Sequence, residues 1–170
     1  MIRSLNFLQN KYDWKDIKVS VIVSTGRTGT KYFAQLFSSH KNYIAKHEPA
    51  PICNLQGFSY LKGEMDEDEV VKFLLKGRKK IYNEIRKAKR NSYLESNGGL
   101  IFLIPFLDKV FPNLRVAHII RDPRDIVRSG CSRTEEFEGE ISPKYENENS
   151  WLIKSYELPN DKFKDHWGRM

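Results

Sequence analysis

The chain has 170 residues, a net charge of +7 and 39% hydrophobic residues, which suits one packed domain and is too short for two large ones. No apolar run reaches the roughly 18 residues that a membrane helix needs, and the hydrophobic content excludes a disordered chain. The excess positive charge comes from residues 76–90, which contain eight basic residues and one acid. The rest of the chain is balanced, which argues against a dedicated nucleic-acid packager.

The amino-terminal segment and the cysteines predict a cytoplasmic protein. Polar residues interrupt residues 1–14, so this segment lacks the continuous apolar stretch of a secretory signal. Cys53 and Cys131 have no spacing typical of a metal site and are too few for a disulfide scaffold. We therefore expect ordinary thiols and no bound metal.

The first predicted unit is a strand, a glycine turn and a helix. Residues 18–24 are rich in β-branched side chains, which is typical of a buried parallel strand. The run ends in Thr25 and Gly26, and apolar residues recur at helical spacing from Thr30 onward.

A short second strand is predicted over residues 43–45. It leads into His47 and Glu48, which are followed by Pro49. Because proline disfavours a helix immediately before it, we expect both residues at the strand end or in the following loop.

A single amphipathic helix is predicted over residues 66–90, with an apolar stripe, an acidic start and a basic end. The helix dipole favours this distribution of charge. The basic residues of segment 76–90 are therefore explained as the solvated end of a helix, and a polyanion-binding patch is the alternative.

Two further strands are predicted over residues 92–95 and 114–120, separated by a glycine turn and a helix. Strands that alternate with helices indicate a three-layer α/β/α fold with a mainly parallel sheet. His118 lies inside the second of these apolar runs, so we expect it in the core. Residues 134–170 are interpreted as an acidic, irregular tail.

A glycine loop joins the first strand to the first helix, with the sequence Ser24-Thr25-Gly26-Arg27-Thr28-Gly29-Thr30-Lys31. Backbone N–H groups converge with a helix amino terminus at such a turn, which favours a phosphate. The Walker pattern places lysine directly after the second glycine, whereas here Thr30 intervenes before Lys31. The loop predicts a phosphate-bearing ligand held without obligatory magnesium, and a plain tight turn is the alternative.

A second anion-binding feature is the sequence RDPRDIVRS, residues 121–129. Arg121 follows a strand at the edge where open α/β sheets bind ligands. Ser129 comes about two turns into the helix that Pro123 can begin. We expect Arg121 and Ser129 to bind one phosphate, and a surface network of arginine and aspartate is the alternative.

Together the STGRTGT loop and the later RDPRDIVRS sequence resemble the sulfotransferase family, whose donor is 3′-phosphoadenosine 5′-phosphosulfate (PAPS). The resemblance covers about residues 18–131 and includes LIPFLDKVFPNLRVAHIIRDP. It implies a P-loop NTPase-like topology and one sulfotransferase-like domain over residues 1–170, with a helical insertion at about residues 60–90. Because family members continue to a later basic loop, it also implies either a chain that is incomplete at its carboxyl end or a short member with a more open nucleotide site.

The resemblance also implies the roles of the site residues. Arg27 corresponds to the basic residue at the bridging and sulfuryl oxygens, while Arg121 and Ser129 correspond to the clamp on the 3′-phosphate. The residues that would hold the donor through the loop are Gly26, Arg27, Thr28, Gly29, Thr30 and Lys31. The product would be 3′,5′-ADP, and no metal would be required.

Three residues are candidates for the general base. Glu48 is the first choice, because some bacterial and tyrosyl-protein members carry a catalytic glutamate in this region. His47 is adjacent and capable of the same chemistry. Glu95 occupies the stretch where cytosolic members carry a Lys-Thr-His run; this chain lacks that run, so the cytosolic small-molecule subgroup is the poorer match.

The expected function is transfer of a sulfuryl group from PAPS to a hydroxyl or amine, with carbohydrates among the acceptors and without a specific nucleic-acid partner. One alternative is a P-loop nucleoside or nucleotide kinase that uses ATP and magnesium. The other is a non-enzymatic polyanion-binding module that uses residues 76–90.

Overall fold

The computed structural model describes residues 12–135, and the side chains of residues 12–129. Within these residues a single sheet contains the strands β1 (Lys18–Ser24), β2 (Tyr43–His47), β3 (Ser92–Ser96) and β4 (Leu114–Ile119). The strands are all parallel and lie in the order β2-β3-β1-β4. The α/β fold with a parallel sheet, predicted from the alternating pattern, is confirmed.

The helices in chain order are α1 (Thr30–Ser38), α2 (Asn54–Leu61), α3 (Glu67–Gly77), α4 (Lys79–Lys87), α5 (Ile104–Val110) and α6 (Pro123–Glu135), and a 3₁₀ helix (Gly98–Leu103) precedes α5. Helix α1 packs on β2 and β3. No helix in residues 12–135 is both long enough and apolar enough to cross a membrane.

Alternating side chains of β1 fill both faces of the sheet. Val19, Val21 and Val23 are buried in the main core with residues of α3, α4 and α5. Ile22 points to the opposite face and is buried outside that cluster. The central strand is therefore covered on both sides, as the three-layer prediction requires.

The prediction of one helix over residues 66–90 is wrong. A capping box between Asp66 and Glu69 starts α3, but the chain leaves helical geometry at Arg78, where φ is −96° and ψ is 5°. Helix α4 then begins at Lys79. Arg78 lies at this break and its side chain is fully buried, so segment 76–90 is not entirely a solvated helix face.

The prediction that His118 lies in the core is also wrong, because His118 is exposed. In the described part of the chain β4 pairs with one strand only, β1. The side chains of residues 115–118 are all exposed, and even Val116 keeps 42% of its surface in solvent. The apolar sequence of β4 thus belongs to an edge strand rather than to a buried one.

Two smaller differences concern the helices. Helix α2 was not anticipated, and the expected helix before β4 starts as the 3₁₀ helix and becomes α-helical only at Ile104. The predicted start of a helix at Pro123 is confirmed. Residues 136–170 of the predicted acidic tail lie outside the described part of the chain.

Candidate anion-binding site

The loop between β1 and α1 is built from residues with left-handed backbone angles. The φ angles are 90° at Gly26, 53° at Arg27 and 86° at Gly29. Glycine adopts these angles freely, whereas they cost arginine about 1–2 kcal/mol. Helix α1 follows Gly29 with no side-chain cap and no acid in its first turn. Its positive end is therefore not neutralised locally, which favours an anion there.

The structure brings Arg27, Arg121 and Ser129 together at this loop. Nη2 of Arg27 donates to Oγ of Ser129 at 2.8 Å and to its carbonyl oxygen at 3.1 Å. Nη1 of Arg121 donates to the carbonyl oxygen of Arg27 at 2.9 Å. The contacts differ from the expected pairing, since Ser129 meets Arg27 and Arg121 supports the loop backbone.

Strand register explains why residues so distant in sequence meet. Ser24, the last residue of β1, lies beside Ile119, the last residue of β4. The two strands are parallel, so the segments that follow them leave the sheet at the same edge. Arg121 comes two residues after the end of β4 and thus lies next to the glycine loop.

The surface network of arginine and aspartate, expected as the alternative, is present as well. Arg124 pairs with Asp122 at 2.6 Å, and Arg128 pairs with Asp125 at 2.9 Å. Hydrogen bonds from Arg124 hold the pKa of Asp122 below its ordinary value. Nε of Arg121 is 4.0 Å from Asp125, a looser contact than the other two pairs. Of these three arginines, Arg121 is the one that also donates a hydrogen bond to the backbone of the glycine loop.

Thr28 is the loop residue best suited to donate to a bound anion. The residue is 8% exposed, and its Oγ1 has no hydrogen-bond partner among the described residues. A buried hydroxyl without a partner costs free energy, and a hydroxyl can donate to an anionic oxygen. Thr30 is half-buried and Lys31 is exposed, both in the first turn of α1. They add donors at the same end of the helix.

His47 and Glu48 share one backbone anchor on the neighbouring strand. The carbonyl oxygen of Ser96 accepts a hydrogen bond from the Glu48 N–H at 3.0 Å and lies 3.2 Å from Nδ1 of His47. Because a carbonyl only accepts, Nδ1 of His47 carries the proton, and Nε2 of the neutral ring is the basic nitrogen. Glu48 has an exposed side chain and a φ of 44°. Both base candidates therefore lie at the carboxyl edge of the sheet.

His47 and Glu48, at the end of β2, lie at the same edge of the sheet as the glycine loop after β1, but β2 and β1 are not neighbouring strands. Strand β3 separates β2 from β1, and Ser96 pairs with His47 on one side and with Ile22 on the other. Two strand spacings amount to about 10 Å. The arrangement leaves room for a ligand portion between the loop cations and Glu48.

Glu95, the third base candidate, is engaged in a fully buried network. Its carboxylate accepts hydrogen bonds from Nε and Nη2 of Arg78 at 2.7 and 2.5 Å, from the Tyr93 hydroxyl at 2.7 Å and from Nδ2 of Asn97 at 2.8 Å. Glu95, Arg78, Tyr93 and Asn97 are each 0% exposed. With four hydrogen bonds to neighbouring groups and no contact with solvent, the Glu95 carboxylate is out of reach of a substrate.

Sequence reasoning missed Arg78, although its position carries a signal. The apolar stripe of segment 66–90 runs through Leu74, Ile81 and Ile85. Arg78 is four residues after Leu74 and three before Ile81, which puts it on the same stripe. An arginine at a stripe position requires a buried acid, and Glu95 is that acid.

A shallow cavity of about 350 Å³ lies away from this site. It is lined by Leu36, Phe37, Ser39, His40 and Tyr43. Tyr43 begins β2, so the cavity is at the amino edge of the sheet, opposite the glycine loop. Among the described residues no group of three or more His, Cys, Asp or Glu side chains is arranged to hold a metal ion.

Comparison of the chain with protein-family models, with curated proteins and with solved structures found no match.

Proposed function

We propose that this protein is a PAPS-dependent sulfotransferase that transfers a sulfuryl group to a hydroxyl or amine of an acceptor. The observation that carries the proposal is the meeting of the glycine loop with residues 121–129 through Arg27, Arg121 and Ser129. Two arginines at one strand-to-helix turn favour a ligand with more than one anionic group. PAPS carries both a 5′-phosphosulfate and a 3′-phosphate.

In the proposed reaction the acceptor oxygen or nitrogen attacks the sulfur atom, and the bond between sulfur and the bridging phosphate oxygen breaks to release 3′,5′-ADP. Arg27, the Thr28 hydroxyl and the N–H groups of the loop stabilise the charge that grows on the leaving phosphate. Arg121 and Ser129 bind the 3′-phosphate. Glu48 takes the acceptor proton, with His47 as the alternative base. Carbohydrate hydroxyls are among the acceptors proposed.

The kinase alternative receives less support from the same loop. Lys31 lies one place later than the Walker lysine, and its side chain is exposed in the first turn of α1. The segment after β4 supplies Arg121 where a magnesium-dependent site favours an acid. A polyanion-binding module would depend on segment 76–90, whose Arg78 is bound inside the core.

The first experiment is titration calorimetry of the protein with 3′,5′-ADP and, separately, with ATP plus magnesium. We expect 3′,5′-ADP to bind more tightly, without any dependence on magnesium. Preferential binding of ATP with magnesium would favour the kinase. Absence of binding by either nucleotide, in a protein shown to be folded by circular dichroism, would overturn the proposal.

A pair of arginine variants tests the site itself. Arg121→Ala is expected to weaken 3′,5′-ADP binding by about 10- to 100-fold, because a charge-assisted hydrogen bond to phosphate is lost. Arg115→Ala is the matched control: it removes the same charge from an exposed side chain of β4, about 13 Å before the end of the strand. Equal losses in the two variants would indicate a general charge effect, contrary to the proposed site.

Turnover is tested with ³⁵S-labelled PAPS and a panel of phenol, alcohol, amine and carbohydrate acceptors. We expect the label to be transferred to at least one acceptor faster than it is released as sulfate by reaction with water. Binding of 3′,5′-ADP without transfer to any class of acceptor would contradict the enzymatic part of the proposal.

A further inference from the structure

The segment that carries Glu48 is hydrogen-bonded to the buried Arg78 side chain. Besides its two bonds to Glu95, Arg78 donates from Nη1 to the carbonyl oxygen of Pro51 at 3.3 Å and from Nη2 to Sγ of Cys53 at 3.2 Å. Segment 48–53 connects β2 to α2. The planar guanidinium thus binds the core acid on one side and this connection on the other.

The ionic state of the network is well defined. Burial lowers the pKa of Arg78, but the Glu95 carboxylate and its hydrogen bonds more than offset this, so the pKa of Arg78 lies above its usual range. Burial and Glu95 also raise the pKa of Tyr93 well above its usual value. Arg78 is therefore charged and Tyr93 neutral, and the donors and the acceptor of the cluster match.

Through Asn97, the same network also reaches the backbone that follows β3. Oδ1 of Asn97 accepts from the N–H of Gly99 at 2.9 Å, and the N–H of Asn97 donates to the carbonyl oxygen of Ile22 in β1 at 2.9 Å. A Cβ atom added at Gly99 would lie 1.9 Å from Oδ1 of Asn54 and 3.0 Å from its backbone nitrogen, so the chain after β3 passes close to the first residue of α2. The two hydrogen bonds of Asn97 join the end of β3 to β1 and to the 3₁₀ helix.

We propose that Arg78 is a positioning residue that holds Glu48 in place for proton transfer. Segment 48–53 is fixed near its start by the Glu48 N–H on Ser96 and towards its end by Arg78 on Pro51 and Cys53. A left-handed φ at a glutamate persists only where the surroundings hold it, and these bonds supply that restraint. The inference rests on the proposed function, because it takes Glu48 as the base.

The test compares two variants that weaken the same network. Arg78→Lys keeps a charge beside Glu95 but loses the fork that reaches Pro51 and Cys53. Tyr93→Phe removes one donor from Glu95 and leaves every contact to segment 48–53 intact. Measurements are the thermal midpoint, the affinity for 3′,5′-ADP, and kcat with labelled PAPS and the fastest acceptor of the panel.

We expect Arg78→Lys to lower kcat about tenfold while 3′,5′-ADP affinity stays within twofold of wild type. Tyr93→Phe should lower the thermal midpoint and keep kcat within twofold. Unchanged kcat in Arg78→Lys would overturn the inference. Loss of kcat in both variants, in proportion to their loss of thermal stability, would assign Arg78 a purely structural role and would also overturn it.

A second variant and a second measurement cover failure to fold. Arg78→Met combined with Glu95→Gln removes the buried pair without leaving an unpaired charge, and the same loss of kcat is expected. If neither Arg78 variant folds, hydrogen exchange of the wild-type protein decides. The Glu48 amide should be as well protected as that of Asn97, and exchange of Glu48 at the rate of an unbonded surface amide would overturn the inference.

If the protein is not a PAPS-dependent sulfotransferase, the experiments give a different result from the one expected if only the positioning role of Arg78 is wrong. In that case the wild-type protein does not bind 3′,5′-ADP, whereas the exchange of the Glu48 amide still reports whether segment 48–53 is held. A protein that binds 3′,5′-ADP and transfers sulfate but is indifferent to Arg78→Lys leaves the function in place and removes only the positioning role.

Discussion

The guanidinium of Arg27 donates two hydrogen bonds to Ser129, a residue 102 positions later in the chain. Arg27 belongs to the first strand-to-helix connection, and Ser129 lies in α6, the last helix that the structure describes. The contact joins the two sequence motifs on which the proposed donor site depends. An anion bound by Arg27 would share the guanidinium with the Ser129 hydroxyl.

Replacement of Ser129 by alanine should weaken 3′,5′-ADP binding on the order of tenfold, because a hydrogen bond to a charged phosphate is lost. Calorimetry measures the change. Ser39→Ala is the control, because the Ser39 hydroxyl lies near the end of α1 and, among the described residues, donates to the carbonyl oxygen of Leu36. Unchanged or tighter binding by Ser129→Ala would show that the hydroxyl is not a ligand for the nucleotide.

Replacement of Glu48 by glutamine should reduce turnover at least 100-fold, because the neutral amide cannot take the proton from the sulfuryl acceptor. The affinity for 3′,5′-ADP should stay within twofold of wild type. His47→Asn is the companion variant; its amide can still donate to the carbonyl of Ser96, but it has no basic nitrogen. Loss of turnover in His47→Asn with retention in Glu48→Gln would move the base to His47.

The Glu48→Gly variant should have a more stable fold and no turnover. The φ of Glu48 is 44°, which a glycine adopts without steric cost, so the free energy of unfolding should rise by about 0.5–1 kcal/mol after the entropy of the unfolded glycine is counted. Lys89→Gly is the matched control, because Lys89 is exposed, has a φ of 52° and lies beyond α4. Urea unfolding measures both.

The two glycine variants should differ in turnover but not in stability. Lys89→Gly should be stabilised by a similar amount to Glu48→Gly and keep full turnover. A loss of stability in Glu48→Gly would mean that the glutamate side chain makes a stabilising contact that outweighs the backbone strain, contrary to a residue held for catalysis.

Stability should fall as the pH rises above about 9. Burial raises the pKa of the Cys53 thiol from 9.0 to about 11, and Tyr93 is shifted in the same direction by burial and by Glu95. The folded state then keeps protons that the unfolded state loses, so the contribution of these two groups to the free energy of unfolding is constant below about pH 9 and decreases above it. Between pH 9 and 11 the loss from Cys53 reaches at most about 3 kcal/mol.

Urea unfolding at pH 8, 9, 10 and 10.5 checks this dependence. Cys53→Ala and Tyr93→Phe should each reduce the slope above pH 9 without changing its sign. A free energy of unfolding that stays flat to pH 10.5 would contradict the burial of both groups in the folded state.

The sequence predicted those features that depend on local chemistry and on the parallel sheet. Gly26 and Gly29 indicated the left-handed turn, and the β-branched run before them indicated the central strand. Because the strands are parallel, the segments after β1 and β4 leave the same edge of the sheet, which is why the structure brings Arg27 and Arg121 together although the sequence had indicated only that each follows a strand end. The detailed pairing, with Ser129 on Arg27, depends on side-chain packing that the pattern does not specify.

The errors share a physical origin, since each concerns what a side chain meets in three dimensions. Arg78 lies in a basic run, and its burial is favourable only because Glu95 on a different strand pairs with it. His118 lies in an apolar run, but its side chain is exposed because the described helices do not cover that part of β4. Hydrophobic pattern gives the type of element, while tertiary partners determine burial.

The central place of β1 has a consequence for synthesis of the chain. One edge of β1 pairs with β3 and the other with β4, which is made 90 residues after the end of β1. At roughly 5–20 residues per second, a nascent chain carries an unpaired β1 edge for about 5–20 s. Until β4 is added, that edge is a template for association with other chains, so we expect co-translational chaperones to act during this interval.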